Sequence, residues 1–108
     1  MLRIYPVILT TLRALRPAIE QIERHDADLA RQMRKAATSV VLNTGEGMYS
    51  RKGLRAARYH VALGSMRETL SALEAAEALG YIARVDGALL GQINHVIGTF
   101  VRLLRLGR

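Results

Sequence analysis

Ile8, Leu12, Leu15, Ile19 and Ile22 follow one another at steps of four and three, the spacing of one apolar face on a helix. Pro6 suits the start of that helix, whereas Pro17 removes a hydrogen bond to Arg13 and predicts a bend. The stretch RHDAD breaks the pattern, with Asp26 placed to cap a second helix. That helix sets Leu29, Met33, Ala36 and Val40 on one stripe, which continues onto Asn43 and Gly47; Gly47 fits a left-handed helix stop. A third helix is predicted from about Gly53 to Leu79, stopped by Gly80. It carries a large apolar stripe (Tyr59, Leu63, Met66, Leu70, Leu73) and a small or polar one (Val61, Ser65, Glu68, Ala72, Ala75), so it needs neighbours on more than one side. A fourth helix from about Asp86 repeats the pattern with Leu89, Ile93, Val96, Phe100 and Leu103, flanked by Leu90, Ile97, Val101 and Leu104.

Short links between these segments predict an all-α, up-down-up-down antiparallel four-helix bundle, taken as a single domain over residues 1–108. Composition agrees: half the residues are hydrophobic, but only four Tyr and one Phe are aromatic, and there is no Trp. With no cysteine, a disulfide frame and a thiolate metal site are both excluded. The stretch MLRIYPVILTTLR lacks a signal-peptide cleavage pattern, and the longest uncharged stretch, Gly87 to Val101, is too short to span a bilayer. The expectation is a soluble, cytoplasmic protein that does not act at a membrane.

The polar residues on apolar stripes stand out. Asn43 falls where the second helix predicts a core position, and a buried amide needs partners. Glu46 lies at the negative end of the same helix dipole, where a carboxylate calls for a nearby cation or donors. Ser65 and Glu68 on the third helix offer a matching set beside Gly64. Asn43, Glu46, Ser65 and Glu68 are therefore read as a structural polar network that faces inward and holds the helices in register; an active pocket built from them lacks a paired nucleophile and base.

Charge then changes the picture. The net charge is +7, and residues 31–60 hold seven cations against Glu46 alone. Arg34 and Lys35 on the second helix, and Arg51, Lys52, Arg55 and Arg58 around the start of the third, are expected at one end of an antiparallel pair, with Arg51, Arg55 and Arg58 on one face. Such a cluster suits phosphate backbones. Tyr49 and Tyr59 are the aromatics near it, and Tyr59 belongs to a core stripe, so backbone recognition is expected over sequence reading.

Catalytic and cofactor readings find little support. The residues three before His25, His60 and His95 are Ile22, Ala57 and Gln92, so no Glu-x-x-His pair exists for a di-iron site, and His-Glu-x-x-His is absent. GEGMYS, GMYSRKG and LGSMR lack the order of a dinucleotide loop, a phosphate loop and a nucleophile elbow. No metal, no cofactor and no enzymatic activity are expected. A scaffold that self-associates and binds an acidic protein, without nucleic acid, is the alternative.

RKAATSVVLNTGEG followed by ALGSMRETLSALEAAEALGYI resembles the rRNA intervening-sequence family of four-helix-bundle proteins, encoded within inserts in large-subunit ribosomal RNA genes. The first family pattern maps onto Arg34 or Lys35, Ala37, Ser39, Val40, Asn43, Glu46 and Gly47; the second onto Ala62, Leu63, Gly64, Ser65, Glu68, Leu79, Gly80 and Tyr81. Thr44-Gly45 stands where the family usually has Ile-Ala, and Arg55 and Arg58 strengthen the basic stretch. Relatives of the family include accessory proteins of diversity-generating retroelements, which look like basic pentameric barrels working with a reverse transcriptase and its RNA. The resemblance implies a ring-shaped homo-oligomer, a pentamer, in contact with nucleic acid (RNA before DNA), and a protein partner such as a reverse transcriptase.

Overall fold

A computed structural model describes residues 2–107. Four helices follow in order: α1 (Ile4–Glu23), α2 (Ala27–Met48), α3 (Lys52–Ala78) and α4 (Gly87–Arg105). Each boundary has a local cause. Pro6 sits in the first turn of α1, where its missing N–H would have no helical partner. Asp26 caps α2 by accepting from the Leu29 amide at 3.0 Å, and Asp86 caps α4 in the same way from Leu89 at 3.3 Å. Gly80, at φ +77°, ends α3: its N–H donates to the Glu77 carbonyl and the Tyr81 N–H to that of Ala76, the paired bonds of a glycine-terminated helix.

Consecutive helices pack side by side, and α4 returns against α1 to close the bundle. The molecule measures 42 × 24 × 19 Å, the long dimension set by α3. The core runs through its whole length as the spacing predicts: Ile8, Leu15, Ile19 and Ile22 from α1, Met33 and Val40 from α2, Tyr59, Met66 and Leu73 from α3, and Ile93, Val96 and Phe100 from α4 are all buried. Each such side chain stabilises the fold by about 1.5–3 kcal/mol relative to exposure. Among the described residues, no helix is long and apolar enough to cross a membrane.

α1 is helical through Pro17, and α2 through Thr44-Gly45. Two expectations need revising. The core position expected for Asn43 belongs to Thr44, which is fully buried and returns its hydroxyl to the Val40 carbonyl at 2.6 Å; Asn43 is only half-buried. A step of four from Val40 points into the core here, and a step of three points to the α2–α3 seam. Gly47 is not a left-handed stop. It lies inside α2, and a Cβ there would fall 2.7 Å from Cδ1 of the Tyr59 ring and 3.3 Å from Cβ of Arg58. The glycine is needed so that α3 can approach.

Candidate nucleic-acid interface

Antiparallel packing brings distant stretches of sequence to the same end. The Leu2 amide lies 3.4 Å from Sδ of Met48, and Tyr59 packs on Phe100 with ring centroids 5.5 Å apart. The start of α1, the α2–α3 turn and the end of α4 therefore share one pole. The α1–α2 and α3–α4 turns share the other, where His25 stacks on Tyr81 at 5.3 Å.

The two poles differ in charge. Among the described residues, the first holds Arg3 at the start of α1, Arg51, Lys52, Arg55 and Arg58 around the α2–α3 turn, and Arg102 and Arg105 in the last turn of α4, against Glu46 alone. The second mixes Arg24, Arg31 and Arg84 with Glu23, Asp26, Asp28, Glu74, Glu77 and Asp86. Arg3, Arg102 and Arg105 are far from residue 51 along the chain, and only the antiparallel topology joins them to it.

The six expected phosphate contacts do not form one cluster. Arg34 and Lys35 lie about 20 Å along α2 from its last residue, Met48, taking about 1.5 Å per residue, so they stand apart from Arg51 and Lys52. Arg34 is held by Glu23 of α1 at 2.7 Å; its hydrogen bond and charge keep the Glu23 carboxyl below its ordinary value and raise Arg34 further. It also borders an open groove of about 490 Å³ between α1 and α2. Arg55 is half-buried and donates to the Ser50 carbonyl at 3.1 Å, so it braces the turn from within. Arg58 pairs with Glu46 at 3.0 Å. Hence Arg51, Arg55 and Arg58 do not present one free face. The Lys35, Arg51 and Lys52 side chains have no hydrogen-bond or ion-pair partner among the described residues, and the same holds for Arg3 and Arg105.

The four polar residues line the α2–α3 side unevenly: Ser65 is buried as expected, Asn43 is half-buried, and Glu46 and Glu68 are exposed. Ser65 Oγ donates to Ser39 Oγ at 2.8 Å, Asn43 Nδ2 donates to Ser39 Oγ at 3.0 Å and to the Ser39 carbonyl at 2.9 Å, and Arg58 reaches Asn43 Oδ1 at 3.4 Å and Glu46 at 3.0 Å. Ser39 is thus the hub of the ladder. Its spacing of four before Asn43 was the available signal. Glu46 faces solvent, its side chain 62 % exposed, and satisfies its charge across the seam instead of inside. Glu68 is exposed and outside the ladder; it borders a small polar groove with Arg31, Lys35, Ser39 and Ser65.

Residues 12–99 match the protein family described as 23S rRNA-intervening sequence protein, and the chain belongs to that family. No curated protein and no solved structure matches it. The family's description refers to an intervening sequence of 23S rRNA.

Proposed function

We propose that this member of the 23S rRNA-intervening sequence protein family is a non-catalytic, homo-oligomeric RNA-binding protein that grips phosphates with its basic pole. The observation that carries the reading is the segregation of charge: seven cations face one acid at that pole, and the one acid is already held by Arg58. Cations without internal partners gain most from phosphate, because binding releases condensed counterions and breaks no ion pair. Arg51, Lys52, Arg3 and Arg105 are the principal contacts in this reading. Arg34, Lys35, Arg55 and Arg58 supply position or secondary charge. A ring of copies, a pentamer by family resemblance, would repeat the pole and multiply its field.

The test is a fluorescence-anisotropy titration with RNA at several salt concentrations. Changing Arg51 and Lys52 together to Glu should weaken binding by at least about 30-fold and flatten the salt dependence. Unchanged affinity would sink the reading. Native mass measurement with and without nuclease reports the copy number.

A second reading has its own support. Leu42 and Val61 stand at the same level of the seam with 61 % and 49 % of their surface exposed, which suits contact with another protein surface. A reverse-transcriptase partner of the kind implied by the retroelement resemblance would use that face, and so would a neighbouring copy.

A further inference from the structure

Among the described residues, every Tyr and Phe side chain but one is at least partly buried. Tyr59 and Phe100 pack together in the core, Tyr81 stacks on His25, and Tyr5 is half-buried beside Gly45. Tyr49 is 87 % exposed, the most exposed large apolar side chain of the molecule's described residues. It stands at the end of α2, two residues before Arg51.

The backbone beneath Tyr49 is fixed while its ring is free. The Tyr49 N–H donates to the Glu46 carbonyl at 3.2 Å. On one side Met48 receives the Leu2 amide, and on the other the Ser50 hydroxyl donates to the Glu46 carbonyl at 2.7 Å. Arg55 then holds the Ser50 carbonyl at 3.1 Å. The turn is therefore braced by its neighbours, and the Tyr49 side chain takes no part in holding it. A rigid site displaying one large ring loses little conformational entropy when something stacks on it. Leu54, 65 % exposed at the first turn of α3, adds apolar surface at the same turn. The Arg51 and Lys52 side chains between them have no partners, and the one nearby acid is held by Arg58.

We propose that Tyr49 is a stacking platform for an unpaired base, so that the basic pole selects single-stranded over duplex RNA. This rests on the nucleic-acid reading above and adds to it a residue and a substrate class. The chemistry is complementary on both counts: an unpaired nucleotide offers a π-face to the ring and a phosphate to Arg51 and Lys52 within one nucleotide's reach. Bases in a duplex are already stacked and turn only their edges outward, so the ring gains nothing from them. Every base has a π-face, so selection is for strandedness with little sequence preference.

The experiment compares wild type, Tyr49→Phe and Tyr49→Ala, each titrated with an unstructured 12-nucleotide RNA carrying 2-aminopurine and with a duplex of the same length. Wild type and Tyr49→Phe should bind the single strand tightly and quench 2-aminopurine. Tyr49→Ala should lose about 5- to 150-fold in single-strand affinity, lose the quenching, and change duplex affinity less than about twofold. Thermal unfolding should be unaltered, because the ring touches no core. Equal affinities of the three proteins for the single strand would overturn the platform while leaving phosphate binding standing. A parallel loss of affinity and assembly mass in Tyr49→Ala would overturn it too, since the ring would then be a contact between copies. No binding to either RNA would overturn both this inference and the reading it rests on.

Discussion

Where α1 meets α2 and α3 meets α4, acidic side chains are spent on structure: Asp26 and Asp86 cap helices, Glu77 accepts the Val85 amide at 2.7 Å, and Glu23 and Asp28 hold Arg34 and Arg31. Where α2 meets α3, neither α1 nor α3 has a side-chain cap, and Arg3 and Arg51 occupy the capping positions. That end is held by close packing instead, with Gly47 admitting Tyr59 and Tyr59 resting on Phe100. Arg102 and Arg105 do favour the negative end of the α4 dipole, a contribution of about 0.3–1 kcal/mol each. Arg3, Arg51 and Lys52 there serve no internal contact among the described residues. A basic count alone does not mark a surface; Arg24 and Arg84 also lack partners, but they stand among six acids, whereas the cations around Arg51 face Glu46.

The sharpest way to break this contrast is to disturb the packing of the basic pole. Gly47→Ala should destabilise the protein by about 1–2 kcal/mol, because overpacking against Tyr59 exceeds the helix-propensity gain. A calorimetric Tm equal to or above wild type would show that packing does not hold that end. Removing a cap at the other pole should cost less: Asp26→Ala, about 1 kcal/mol in denaturant unfolding, with RNA affinity untouched. If affinity fell with stability, the two poles would not be separable. Glu46→Gln should raise RNA affinity about two- to fivefold by releasing Arg58, at a stability cost below about 1 kcal/mol for so exposed a pair. Weaker binding would mean that the pair positions the site.

The smallest effect concerns pH. The Arg34 hydrogen bond depresses the Glu23 carboxyl in the folded state, so the contact supports the fold above the ordinary carboxylate range. That support fades as pH falls through the depressed value. The Tm difference between wild type and Glu23→Gln should be present at neutral pH and vanish in acid; a difference constant with pH would remove this contact from the account.

Much of the fold was legible because apolar spacing and capping residues act locally: Ile8 to Ile22, Asp26, Gly80 and Asp86 need no partner to be read. The seam was harder. At 3.6 residues per turn, positions 43 and 44 straddle the inward direction, and the choice of Thr44 depends on how closely α3 approaches at Gly47. Glu46 looked like a buried anomaly because Arg58, twelve residues on, meets it only after the chain reverses. The basic pole was half visible. Arg51 and Lys52 are adjacent in sequence, whereas Arg3, Arg102 and Arg105 join them only through the order of four helices.

If the acid-poor pole meets phosphate, the slope of log affinity against log salt for single-stranded RNA reports it. Engagement of four to six phosphates predicts a slope of about −3 to −4, reduced by about 0.7 for each free cation removed from the basic pole and unchanged when Arg24 or Arg84 of the opposite pole is removed. A slope that responds equally to removals at both poles, or to neither, would contradict the account.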